Sequence, residues 1–241
     1  MNDRERLRNF VAFDGEAASS IALMGHGLRV LMGPSWMVDE AAVVLTCLAA
    51  GTERLLKLTV GHMALADGEE WPGDQIRQYG HHIARLRGDV DALLVTHMRR
   101  ATGSKYIDSL LTDIAQDRYL DGIFYALDRW ADKDGRYRNL DILAGKHADT
   151  ESAQQLWEQV ESTALADHPE LLTQLGGGDA RSAATTLRRH VAFSLLRWWH
   201  SYYRAWQHGV CGAQGRQRAA ALDPTSCRAI AKQARELLSG R

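Results

Sequence analysis

The residues best equipped for chemistry lie between Asp74 and Leu86, a stretch reading DQIRQYGHHIARL in which Arg77 precedes two adjacent histidines, His81 and His82. Imidazole is the side chain suited to moving protons near neutral pH, and a guanidinium neutralises charge that grows on a phosphorane. If Asp74 caps a helix, Arg77 falls in its first turn, where unpaired backbone N–H groups and the helix dipole favour an anion. On a continuous helix, at about 100° per residue, Arg77 and His81 are ~40° apart and Arg77 and His82 ~140° apart. His81 then shares the arginine's face, while His82 borders the apolar stripe of Ile83 and Leu86. The competing reading is two polar histidines on a solvated helix face, because an arginine at this spacing from a histidine arises by chance about once per chain of this composition.

A second stretch places Arg197, His200, Arg204 and His208 on one helical stripe, with Trp198, Trp199, Tyr202, Tyr203 and Trp206 on the others. Arginine interleaved with stacking rings is the combination that single-stranded RNA binding uses, so Arg197, His200 and Arg204 are the candidate substrate-binding residues. Against this, the rings equally suit a core or an oligomer interface with their polar tips outward. A third alternative is a metal site like that of DinB-like helical bundles, built from the ten histidines. His62, His81 and His97 would have to converge from three helices, and no HExxH or Glu-x-x-His pair supports them. No metal and no cofactor are expected.

The elements that position these residues read as all-α. The four prolines, at 34, 72, 169 and 224, fall between stretches of helical periodicity, and alternation of the strand kind is almost absent. Residues 1–35 read as a lead-in of two short amphipathic pieces broken by Gly15, Gly25, Gly27 and Gly33. From 36 to 241 the chain reads as a single helical-bundle domain. Positions 41, 45, 48, 52, 55, 59 and 63 mark one face of a long helix from Trp36 to about Ala66. Ile76, Tyr79, Ile83, Leu86, Val90 and Leu94 mark a second, starting at Asp74 and expected to pair antiparallel with the first. A third region, Tyr106 to Trp130, has a break near Asp117 and a stop at Lys133, Asp134 and Gly135. Short helices follow near 150–164 and after Pro169. Asp179 is placed to cap a long helix ending near His208, Gly212 to Asp223 reads as a basic loop, and Thr225 to Leu238 as a terminal helix.

Composition narrows the function classes. A formal charge of −1 provides no global field toward nucleic acid or an anionic membrane, so either partner would need a local basic patch. Of 29 basic residues 24 are arginine, which suits bidentate phosphate contacts and equally fits the coding bias of a GC-rich genome. Three widely spaced cysteines, Cys47, Cys211 and Cys227, form no CxxC pattern and fit a reducing compartment. No apolar run approaches the ~20 residues of a membrane span, and no apolar segment of the signal-peptide kind follows the N-terminus. No membrane association and a cytoplasmic location are the expectations.

One pairing of motifs points further. The stretch Ala50 to Leu58 reads AGTERLLKL, with Glu53 and Lys57 one turn apart, and Tyr79 to Leu86 follows about twenty residues later. This pairing resembles the HEPN superfamily of helical ribonucleases and nucleic-acid-associated proteins over about residues 36–130. Members carry a Glu-Leu-Leu-Lys-like helix, then a Gly-His turn, and the catalytic ones an Arg, four to six residues, then a His. Arg77 and His82 match that spacing, and Gly80 and His81 match the Gly-His pair. Gln78 stands where the family has Asn, Asp or His, and His82 where many relatives have Asp. The resemblance implies an HEPN-like helical bundle with additional C-terminal helices, acting as a metal-independent endoribonuclease. His82 or His81 would be the general acid or base, Arg77 would stabilise the transition state, and Glu53 and Lys57 would support the site or simply pair with each other. It further implies RNA as substrate, a homodimer with juxtaposed motifs, a toxin–antitoxin or antiviral defence setting and a cognate antitoxin or defence partner. The rival is a helical interaction or scaffold protein that kept the fold and lost the chemistry.

Overall fold

The computed structural model describes residues 3–33, 37–132, 136–145 and 150–239, and among these every regular element is helical. Helix α1 (Asp3–Leu31) lies antiparallel along α2 (Met37–Ala66). Phe13 meets His62 toward one end of the contact, Arg54 meets Glu16 partway along, and Gly27 meets Leu48 toward the other end. The expected breaks at Gly15, Gly25 and Gly27 do not occur, because residues 3–31 form one continuous helix. Packing explains most of this. A Cβ on Gly51 would sit 2.6 Å from Met24 Cγ and 2.9 Å from the Ser20 carbonyl, and one on Gly27 would sit 2.8 Å from Leu48. A helical glycine costs about 1 kcal/mol, which the close helix crossing offsets. The Ser20 hydroxyl donates to the Gly51 carbonyl at 2.7 Å across the same crossing.

After Asp67 the chain doubles back along α2. Trp71 packs on Gly61, where a Cβ would lie 2.1 Å from the indole. Helix α3 (Gly73–Gln78) follows, and by Gly80 and His81 the backbone has returned to the level of Lys57 and Glu53. Only then does α4 (Ile83–Thr96) begin, and it runs in the same direction as α2: His97, just past its end, meets Asp67, just past the end of α2, at 3.3 Å. The single helix expected from Asp74, antiparallel to its predecessor, is therefore two helices, and the longer one is parallel. Gly80 is the cause, its φ of +54° being left-handed backbone that no α-helix continues through.

Helices α5 (Ser104–Ala115) and α6 (Leu120–Ala131) are separated at Asp117, as expected. There the aspartate accepts from the Tyr119 amide at 3.0 Å and pairs with Arg197. Helix α6 packs antiparallel on α4, with Ala84 N donating to Asp128 at 3.1 Å and Arg87 meeting Asp121 at 2.7 Å. It ends at Ala131, and the expected stop at Lys133, Asp134 and Gly135 lies outside the described residues. The remaining α-helices among the described residues are α7 (Arg138–Leu143), α8 (Ala153–Asp167), α9 (Pro169–Gly176), α10 (Ala180–Gln207), α11 (Gly212–Arg218) and α12 (Ala231–Ser239).

A capping box between Ser152 and Gln155 starts α8, and Pro169 opens α9. Asp179 takes the N-cap position of α10 without a side-chain cap bond. The basic loop expected from Gly212 is instead α11 and a 3-10 turn, docked where Gly212 meets Ala66 and Gly215 meets Trp206. The terminal helix starts at Ala231, later than Thr225.

The core is organised by α10, whose Trp198, Trp199, Tyr202 and Trp206 are fully buried. Rings of this size bury 150–250 Å² each, about 4–6 kcal/mol apiece before conformational entropy is subtracted. Among the described residues no helix is long and apolar enough to cross a membrane, and all three cysteines are free.

Candidate functional site

The face of α2 opposite its apolar stripe carries Thr46, Ala49, Ala50, Glu53, Arg54 and Lys57 at spacings of three and four. These residues floor a cleft of about 450 Å³. Its walls come from Glu16 of α1, Trp130 and Ala131 at the end of α6, Arg136, and His81 in the turn between α3 and α4. The two alanines leave the middle of the trough open. This volume falls within the range of small-molecule sites.

Glu53 is the hub of the cleft. Its Oε1 accepts from Lys57 Nζ at 2.6 Å and its Oε2 accepts from His81 Nδ1 at 3.0 Å. Lys57 also donates to the Gly80 carbonyl at 2.8 Å, pinning the left-handed turn to α2. Burial by itself would raise the Glu53 pKa, but hydrogen bonds from His81 and Lys57 outweigh it and hold the carboxyl below its ordinary value. An ionised Glu53 accepting from Nδ1–H leaves Nε2 as the nitrogen of His81 that can take or give a proton.

At the floor, Arg54 Nε pairs with Glu16 at 3.1 Å, and Arg136 donates to the Ala131 carbonyl at 2.9 Å. Trp130 Nε1 donates to Thr46 Oγ at 3.0 Å. Among the described lining residues, Arg54, Lys57 and Arg136 set against Glu16 and Glu53 leave one net positive charge with the imidazole neutral. The arrangement suits an anion whose reaction needs a proton carrier.

The sequence-predicted residues divide. Glu53, Lys57 and His81 come together, whereas Arg77 and His82 do not join them. Arg77 is in the last turn of α3, at the dipole end that repels anions, with its side chain 83% exposed and paired to Asp74 at 3.2 Å. Pro72 takes the N-cap position expected for Asp74, so the phosphate-favouring first turn around Arg77 is absent. His82 is the N-cap residue of α4 and faces solvent.

The stripe on α10 is absorbed by structure. Arg197 pairs with Asp117 and lies 5.3 Å from the Phe193 ring centroid. Arg204 lies over Tyr106 and bonds Gln207, His208 bonds the Thr102 carbonyl, and His200 packs against Tyr203. Trp198, Trp199, Tyr202 and Trp206, the rings that would have stacked on bases, are in the core. The reading in which these aromatics pack the interior is the one observed.

His62 is buried among Phe13, Trp71 and Trp206, His81 is held by Glu53, and His97 meets Asp67. The three histidines do not converge. No group of three or more His, Cys, Asp or Glu among the described residues is placed to hold a metal ion. Sequence reasoning missed Glu16, Arg54, Trp130 and Arg136. Arg54 was legible as part of the polar face of α2, but the other three join only through helix crossings that no spacing encodes. Neither the family models, nor curated proteins, nor solved structures contain a match to this chain.

Proposed function

We propose that the cleft handles a phosphodiester, and that the protein is a metal-independent endoribonuclease of the HEPN-like kind with His81 as its acid–base residue. The observation that carries this reading is the contact between Glu53 and His81 Nδ1 on the wall of a cleft with a net positive lining. The carboxylate holds the ring in one tautomer and steadies the imidazolium formed during proton transfer. His81 Nε2 takes the proton from a ribose 2'-hydroxyl, whose oxygen attacks the adjacent phosphorus. A proton returned to the departing 5'-oxygen leaves a 2',3'-cyclic phosphate. Arg54 and Lys57 are the cations at hand for the charge that grows on phosphorus. The reading replaces the pair Arg77 and His82 with His81 and the cations of α2.

The test is incubation of purified protein with single-stranded RNA in chelator, following 2',3'-cyclic ends. His81→Ala should lower the rate by about 10²- to 10⁴-fold, while Arg77→Ala and His82→Ala leave it unchanged. Cleavage that is indifferent to His81→Ala would refute the assignment. The second reading, a non-catalytic interaction or scaffold protein, is favoured by the positions of Arg77 and His82 outside the cleft. It expects no cleavage by any variant. A homodimer and a defence partner remain part of the HEPN-like proposal, and the mass of the protein in solution tests the first.

A further inference from the structure

The cleft has a second chemical character that the acid–base reading leaves unused. At the end away from His81, Trp130 lines the wall with its indole N–H tied to Thr46, half-buried and backed by the core. Among the described residues it is the one Phe, Tyr or Trp side chain that lines this cleft. Thr46 and Glu53 are two turns apart on α2, so the Trp130 end and the His81 end are separated by ~10 Å of helix, about the reach of one nucleotide. Between them Ala49 and Ala50 present only methyl groups, leaving space for a sugar. Arg54 and Lys57 follow at the polar end, while Arg136 is tied to the Ala131 carbonyl beside Trp130.

We infer that Trp130 is a base platform: the cleft takes a nucleotide unit of single-stranded RNA with its base stacked on the Trp130 indole and its phosphate at Arg54 and Lys57. The inference rests on the phosphodiester reading above and adds what the site selects, which is an unpaired base. Stacking on an aromatic side chain is tolerant of base identity, because every base has a π face, so the site selects unpaired strands more than sequence. A base held in a duplex cannot reach Trp130 without leaving its stack. The hydrogen bond from the indole to Thr46 fixes the platform before ligand arrives, which lowers the ordering cost of binding.

Titration calorimetry with three probes tests this: a 2'-O-methyl trinucleotide that cannot be cleaved, adenosine 5'-monophosphate, and ribose 5-phosphate, which lacks the base. Trp130→Ala should weaken the first two by about 5- to 100-fold and leave ribose 5-phosphate unchanged. Trp130→Phe, which keeps an aromatic face and guards against a folding defect, should recover most of the loss. Arg54→Ala should weaken all three probes. Equal losses for ribose 5-phosphate and for the base-bearing probes in Trp130→Ala would overturn the platform, as would base-bearing probes indifferent to the substitution. Tighter binding of the trinucleotide than of the mononucleotide supports an RNA strand. Equal affinities overturn that part and assign the site to a free nucleotide.

Failure of the parent reading is separable. RNA cleavage that needs His81, combined with binding indifferent to Trp130, sinks only the platform. Binding that needs Trp130 in a protein that leaves RNA intact sinks only the cleavage.

Discussion

Acidification from about pH 7.5 to about pH 5 should cost the fold about 2 kcal/mol through His62 alone. This histidine is 1% exposed, its ring enclosed by Phe13, Trp71 and Trp206 at centroid distances of 4.9, 5.8 and 4.7 Å. Burial pushes its pKa down from 6.5 to about 4, the nearby Arg218 adds to the shift, and the hydrogen bond to the Leu58 carbonyl only partly opposes it. The folded pKa lies below the unfolded one, so between the two the unfolded chain binds a proton that the folded chain refuses. The contribution of neutral His62 is therefore present above about pH 6.5 and is lost as pH falls toward about 4, to a total of about 3 kcal/mol.

Urea denaturation across that range, on the wild type and on His62→Phe, isolates the effect. The phenylalanine ring suits the aromatic cage and does not titrate, so the difference in stability between the two proteins should shift by about 2 kcal/mol over the interval. His190, whose pKa is lowered by burial and by the imidazole of His168, adds a slope of the same sign to both proteins and cancels in the difference. A difference that stays constant to within about 0.5 kcal/mol would show that His62 is not held neutral by its surroundings.

The other expectations concern the helix crossings, the turn and the site. Gly51→Ala forces a Cβ against Met24 and Ser20 and should cost about 1–3 kcal/mol, whereas Gly15→Ala, with nothing within 4 Å, should gain about 0.5–1 kcal/mol by thermal or urea unfolding. Gly80→Ala puts a side chain at a left-handed φ and should cost about 1–2 kcal/mol, with a matching loss at the His81 site. Asp117→Ala leaves Arg197 and the Tyr119 amide without their acceptor and should cost about 1–3 kcal/mol, read by urea midpoint. Glu53→Gln removes the charge that orients His81 and should lower RNA cleavage on the order of 10²-fold, with the fold retained as judged by circular dichroism.

What could be read from the sequence follows the range of the forces involved. Helical periodicity is local, so the α2 stripe, the break at Asp117 and the all-helical class were legible, as were the short helices on either side of Pro169. The glycines of α1 misled because their meaning is tertiary. Gly27 reads as a helix breaker until Leu48 is seen against it, and Gly25 until Cys227 is. Gly212 to Asp223 reads as a basic loop for the same reason, the helix within it being held by contacts to Ala66 and Trp206 that no local pattern announces.

The site shows the same division within four residues. Tyr79, Ile83 and Leu86 keep helical spacing through Gly80, so periodicity joins what the backbone separates. That one left-handed residue lets the chain reverse beside Lys57 and begin α4 parallel to α2, and the reversal delivers His81 to Glu53. It also leaves Arg77 on the far side of the break with Asp74 as its partner. The choice between the two histidines was open while Asp74 to Leu94 was read as one helix, because angle favoured one and spacing the other. Once the helix is cut at Gly80 the angle no longer applies, and the spacing refers to an Arg77 that lies outside the cleft. What distinguishes His81 is a carboxylate 28 residues away that has already lost the cost of burial to two hydrogen bonds, and a proton carrier is useful where such a carboxylate can hold it.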